Sequence, residues 1–152
     1  MTRPAPRTPE QRRQDTLERL EHDVDVWVAT AGEGGEPYMV PLSFLWDGSV
    51  LLIATASASV TARNLLANGR ARIGVGLVRD VVLIDGTAQA TPAGDIPAEV
   101  GDAFAAKTGF DPREESGSYH YFRVTPRRLQ AWREVEELAG RDLIRDGEWT
   151  VT

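Results

Sequence analysis

Two apolar, strand-like runs meet at Asp47-Gly48, with Pro37 to Trp46 before it and Ser49 to Thr55 after it. Asp-Gly readily takes the left-handed backbone of a tight hairpin turn, so the two runs must lie antiparallel. Upstream, Val24 to Thr30 alternates as a half-buried strand does, and Ala31-Gly32-Glu33-Gly34-Gly35-Glu36 turns it towards Pro37. The core of the chain therefore begins as an antiparallel meander, which excludes an all-parallel architecture.

The stretch from Leu51 to Val78 carries the next constraint. It reads as an apolar strand, a hydroxyl-rich turn, a helix over 59–68 stopped by Asn68-Gly69, and a second strand from Arg70 to Val78. Arg79-Asp80 makes a tight connection into a strand from Val81 to Thr91, and Pro92 to Ile96 is a loop. Pro97 to Thr108 has helical spacing, with Val100 and Phe104 on one face. After a polar loop over 109–117, Tyr119 to Val124 is a strand that Pro126 ends or bulges, and Leu129 to Trp132 resumes it. Residues 133–152 read as an acidic, partly helical tail. At the other end, residues 1–9 hold Pro4, Pro6 and Pro9 and form a flexible arm, and Thr8-Pro9 caps a helix running to Glu21 with Leu17 and Leu20 as its apolar contacts.

The resulting order is β-β-β-α-β-β-α-β in a single domain over 10–152. Two helices among the strands are too few for a doubly wound sheet, and about six strands of this length close on themselves to hide their edges. The expected fold is α+β, mainly β: a six-stranded antiparallel barrel with flanking helices.

The chain of 152 residues suits one domain with a sizeable core. A formal net charge of -6 argues against a general nucleic-acid binder, but leaves room for a small anion in a local pocket. Cysteine is absent, so neither disulfides nor a thiolate nucleophile is available. The first residues lack the apolar centre of a secretory signal, and no apolar run approaches the roughly 20 residues of a membrane span. A cytoplasmic protein fits these features.

Thr55, Ser57, Ser59 and Thr61 alternate with Ala56, Ala58 and Val60, which puts four hydroxyls on one face of an extended backbone. If a helix starts at Ser59, its free N–H groups and dipole favour an anion, and Arg63 and Asn64 follow within reach. Two readings stay open from the residues alone: a phosphate cradle, or a plain helix cap at Ser59. In Met39-Val40-Pro41-Leu42-Ser43 the proline leaves a ladder position open, either to receive a flat heterocycle or to guard an edge against aggregation.

His22 and His120 have no partners at metal-ligand spacing, and no metal site is expected. No Gly-x-Ser-x-Gly elbow supports nucleophilic hydrolysis. Gly74 and Gly76 are not followed by a third glycine and a helix, so they permit a bend or a close approach rather than a dinucleotide turn. Trp132 and Arg133 at a strand end either touch a ligand or pack against a helix. No catalytic side chain is identified.

The run Leu-Leu-Ile-Ala-Thr-Ala-Ser-Ala-Ser-Val-Thr-Ala-Arg-Asn-Leu from Leu51 resembles the cofactor-phosphate segment of the pyridoxamine 5'-phosphate oxidase-like split β-barrel proteins. The strand around Tyr38-Met39-Val40-Pro41-Leu42-Ser43-Phe44 and the late Tyr121-Phe122-Arg123-Val124-Thr125-Pro126 resemble its other hallmarks, and the likeness covers about residues 12 to 132. The resemblance implies a split β-barrel homodimer with coenzyme F420 or FMN at the subunit interface. It implies ring contacts from Met39, Val40, Pro41, Leu42 and Ser43, and phosphate contacts from the Thr55–Asn64 segment, with Thr55, Ser57, Ser59, Thr61, Arg63 and Asn64 as candidates. The implied activity is hydride transfer between that cofactor and a small organic acceptor. The alternative is a non-catalytic FMN- or F420-binding or storage protein. The sequence departs from the family at Val60 and Thr61, where many members carry a basic pair. The residues that bind the substrate phosphate in true pyridoxamine phosphate oxidases are not identifiable, so vitamin B6 oxidation is not expected.

Overall fold

The computed structural model describes residues 3–152. Its elements are α1 (Pro9–His22), β1 (Asp25–Ala31), β2 (Pro37–Trp46), β3 (Leu51–Ala56), α2 (Val60–Asn68), β4 (Arg70–Leu77), β5 (Asp80–Pro92), α3 (Ala98–Thr108), β6 (Tyr119–Trp132), β7 (Asp142–Arg145) and β8 (Glu148–Trp149). All strand pairs are antiparallel, in the order β3-β2-β1-β4-β5-β6-β7-β8, and a further β3–β6 pairing closes the first six into a barrel. Among the described residues no helix is long and apolar enough to cross a membrane.

Alternation along the strands builds the interior. Val26, Val28, Phe44, Ile53, Ile73, Ile84, Phe122 and Leu129 meet inside the barrel, where period-2 spacing sends them. β3 is buried on both faces, because α3 covers its outer side and packs Phe104 against Leu52, Ala54 and Tyr121. That double burial explains why Leu51–Ala54 is an unbroken apolar run instead of an alternating one. Phe104 meets Tyr121 edge-to-face at 5.5 Å.

One expectation needs correction. The tail is not helical beyond a single 3-10 turn over Val135–Glu137; it folds back as the β7–β8 hairpin and adds two strands to the sheet. Asp146, with φ 52, and Gly147, with φ 82, make its turn, and the acidic composition had masked that Asp-Gly signal. Of the two readings of Pro126, the bulge holds. β6 is continuous, and the ladder with β5 absorbs the proline by a register shift between Asp85 and Gly86. A Cβ on Gly86 would lie 2.5 Å from Val124 Cγ1 and 2.9 Å from the Thr125 carbonyl oxygen, so the close approach at this bulge requires glycine.

α1 starts at Pro9 with Thr8 accepting from the Gln11 N–H, as expected from the sequence. Its buried face is Arg12, Thr16 and Leu20, at i, i+4 and i+8. Of the arm before it, Met1 and Thr2 lie outside the described residues. Arg7 is half-buried, with its backbone N–H and guanidinium both donating to Glu137 at 2.7–3.0 Å.

Candidate functional site

β2 and β3 part company soon after their hairpin. Their ladder covers only Phe44–Trp46 against Leu51–Ile53. Beyond it β2 continues beside β1 as far as Pro37, whereas β3 turns to β6 and stays with it to Ala56. The Phe44 N–H donates to the Val24 carbonyl, on the β1 side. Along an extended strand successive backbone groups alternate, so those of Met39, Pro41 and Ser43 point the other way, into the split. The missing N–H of Pro41 therefore costs the β1 ladder nothing. Phe104 and Phe110 close the far wall of a groove of about 430 Å³ that Pro41, Leu42, Ser43 and Ala54 also line.

Continuing the broken register would set Leu42 opposite Thr55 and Pro41 opposite Ala56. The groove thus leads to the β3–α2 turn. There Thr55 Oγ1 and Ser59 Oγ lie 3.1 Å apart, and Ser59 caps α2 by accepting the Ala62 N–H. The Arg63 N–H reaches the Ser59 carbonyl, which leaves the N–H groups of Val60 and Thr61 at the helix start without intrahelical partners. Arg63 is exposed and forms no ion pair among the described residues. Hydroxyls, two backbone donors and a free guanidinium make an anion-compatible corner.

The structure brings Thr55, Ser57, Ser59 and Arg63 to this corner but does not present all the hydroxyls on one face. The backbone leaves the extended form at Ser57, so Thr61 is carried to the inner side of α2, where it is 2% exposed. Asn64 is also buried, and its amide donates to Thr30 Oγ1 at 3.0 Å, tying α2 to β1. Ser57 turns towards β6. Its hydroxyl shares a 2.6 Å hydrogen bond with His120 Nδ1 and donates to Ser118 Oγ at 3.0 Å. His120 and Ser118 are site neighbours that sequence reasoning missed; the signal lay in the β3–β6 pairing, which sets Thr55 directly opposite His120.

Beside the groove lies an apolar outer face. Trp27 pairs with Pro41 on one side and Gly74 on the other, and Ala29 pairs with Met39. Trp27 is 52% exposed, Met39 59%, and Val78 at the neighbouring turn 93%. Pro41 and Met39 belong both to this face and to the open edge of β2, so the two features are continuous.

The other residues singled out from the sequence have structural roles. Arg133 pairs with Asp15 and Asp80, and Trp132 packs under Arg141. His22 Nδ1 bonds the Glu18 carbonyl. Gly76, with φ 83, leaves room for Arg19, whose guanidinium would collide with any Cβ there.

The family described as pyridoxamine 5'-phosphate oxidase matches residues 14–133 of the chain. Solved structures share the fold at low identity. One is an F420 reductase, with 20% identity and a TM-score of 0.59, covering 74% of this chain and 93% of its own. Another is a FAD-binding protein from Mesorhizobium loti, with 19% identity and a TM-score of 0.61, covering 77% and 89%. A third, from Clostridium acetobutylicum, is related to general stress protein 26 and belongs to the pyridoxinephosphate oxidase family; it has 15% identity and a TM-score of 0.65, covering 83% and 91%. No curated protein sequence matches the chain.

Proposed function

The chain belongs to the pyridoxamine 5'-phosphate oxidase family, and from that premise we propose that it is a cytoplasmic oxidoreductase holding coenzyme F420 or FMN in the split between β2 and β3. Its reaction is hydride transfer between that cofactor and a small organic acceptor. The observation that carries this reading is the continuity of the open β2 edge with the hydroxyl-rich turn. One ligand with a flat ring and a phosphate arm matches both at once.

In this reading Met39, Val40, Pro41, Leu42 and Ser43 face the ring mainly through backbone. Thr55, Ser57, Ser59, Arg63 and the Thr61 N–H hold the phosphate, and Asn64 supports them by fixing α2 on β1. Phe104 and Phe110 keep water from the groove. When bound, the flavin or deazaflavin supplies the hydride chemistry, so the protein need only bind and orient. The exposed apolar face around Trp27 and Met39, continuous with the open edge, supports a homodimer in which a second copy covers that edge and completes the site from its own side.

Titration of the purified protein with FMN and with F420, followed by absorbance and fluorescence, tests the reading. Micromolar or tighter binding of one of them is expected. Failure of both to bind ends it. Tight binding with no reduction of any acceptor moves the chain to the alternative, a cofactor-binding or storage protein.

A further inference from the structure

The anion corner lacks a basic residue in the first turn of α2, where Val60 and Thr61 stand. Among the described residues, the only titratable side chain bonded directly to the corner's hydroxyls is His120. It sits on β6 directly opposite Thr55, with Nδ1 2.6 Å from Ser57 Oγ, and its ring stacks on Phe122 at 5.9 Å. Ser57 is held from a second direction, since its N–H donates to the Ser118 carbonyl at 2.9 Å and its hydroxyl to Ser118 Oγ at 3.0 Å.

We infer that His120 is a positioning residue of the phosphate corner, acting through Ser57 and making phosphate affinity depend on pH. The inference rests on the cofactor reading above. A serine hydroxyl has one proton to give. When the imidazole is neutral with its proton on Nε2, Nδ1 is an acceptor and takes that proton's hydrogen bond. When the ring is an imidazolium, Nδ1–H donates to Ser57 Oγ, and the hydroxyl proton is released towards Ser118 or an incoming phosphate oxygen. Protonation also places a positive charge one hydroxyl away from the anion, in the role that a basic pair would fill.

The elements packed around His120 add few competing charges. β3 and the Ser57–Ser59 turn have none, nor has β5 at Ala90–Pro92 opposite it. Tyr119 and Tyr121 flank it on β6, and burial pushes the Tyr121 phenol up, away from neutral pH. Glu115 and Arg113 line the hollow beside Ser118 and Pro92, with Arg113 held by Asp102 and Asp111. Arg63 stands on α2. Of the side-chain types gathered here, imidazole is the one suited to change charge near neutral pH.

The test compares parent and His120→Gln for affinity towards F420, FMN and phosphate-free riboflavin, by fluorescence titration from about pH 6 to 8. Titrations of the cofactors themselves are common to both proteins and cancel in the affinity ratio. For the phosphate-bearing cofactor that binds, the parent is expected to bind roughly three- to tenfold more tightly than the variant near pH 6, with the ratio falling towards one near pH 8. With riboflavin the ratio stays near one throughout. Ser57→Ala should shrink the pH dependence although His120 remains, leaving only the through-space attraction of the charged ring. By reciprocity, the imidazole titration seen by NMR should move up by about half to one pH unit when the cofactor is added. A pH-independent ratio, or the same ratio with riboflavin, overturns the inference while leaving the cofactor site standing. A parent that binds neither cofactor at any pH removes both.

Discussion

Where α1 meets the Val135–Glu137 turn, Arg7, Arg12, Arg19 and Arg133 are matched by Asp15, Asp80 and Glu137, whereas the β3–α2 turn holds hydroxyls, unpartnered N–H groups and one exposed guanidinium. The first region answers each charge internally. Glu137, 3% exposed, accepts from the Arg7 side chain and from the N–H groups of Arg7 and Arg133, while Arg12 donates to the carbonyls of Ala131 and Glu137. The second region bonds its hydroxyls to one another and to β6 but leaves the Val60 and Thr61 N–H groups and the Arg63 guanidinium without partners among the described residues. Polar groups that only hold a fold are satisfied within it; groups left open at an ordered turn are available to a ligand.

The largest effect expected from breaking this contrast is at Glu137. Removing its carboxylate leaves buried Arg12 without a counter-charge and Arg7 with only the partly exposed Asp15 and Asp80, so Glu137→Ala should lower stability by about 3–5 kcal/mol in urea denaturation near neutral pH. Hydrogen bonds from Arg7, against the opposing effect of burial, lower the Glu137 pKa to about 2 from the ordinary 4.5. A depressed carboxylate pKa stabilises the fold fully above the unfolded value and loses that stabilisation as pH falls. The parent should therefore lose about 3 kcal/mol between about pH 4.5 and 2 that the variant does not lose. Parallel pH–stability curves for the two proteins would contradict the matched-charge account.

At the turn the effects should separate by type. Arg63→Ala is expected to weaken binding of the phosphate-bearing cofactor by about tenfold while stability stays within about 0.5 kcal/mol, because the side chain is exposed. Ser59→Ala loses the acceptor for the Ala62 N–H and should cost about 1 kcal/mol of stability. An Arg63 variant that binds as tightly as the parent removes that residue from the site. Equal stability losses for both variants would mean the turn is only structural.

The same contrast explains what could be read from the sequence. Local signals were sufficient where one turn or cap decided the outcome: Thr8-Pro9, Asp47-Gly48 and Asn68-Gly69 each sit at the element boundary their chemistry dictates. The Thr55–Ser59 corner was legible for the same reason. What was hidden depends on pairing between distant segments. His120 joins Ser57 only because β6 returns beside β3, and the tail becomes a hairpin because β6 offers it an edge. The resemblance puts Thr61 and Asn64 among the phosphate candidates by position along the segment, but how α2 is rotated against β1 decides which side chains it presents, and it turns both inward.

The smallest effect, and the sharpest on the question of a partner, concerns Arg72 and Asp85. Their side chains form a fork with bonds of 2.6 and 3.2 Å, geometrically as good as any pair around Glu137, yet they are 55% and 39% exposed. In water such a pair contributes little, so Asp85→Asn should cost below about 0.5 kcal/mol, and less in high salt. That expectation holds for a protomer alone. Arg72 pairs with Ala29 in the sheet and borders the Trp27 face, so a second copy seated there would strip water from the fork. Losing one partner of a desolvated pair costs more than losing one at a wet surface. Denaturation of parent and Asp85→Asn at protein concentrations on either side of dimer dissociation tests this directly. A cost that grows with concentration places the fork under the partner. A small, constant cost in a protein that is demonstrably dimeric moves the interface off the Trp27 face, and with it the suggestion that the partner closes the open edge of β2.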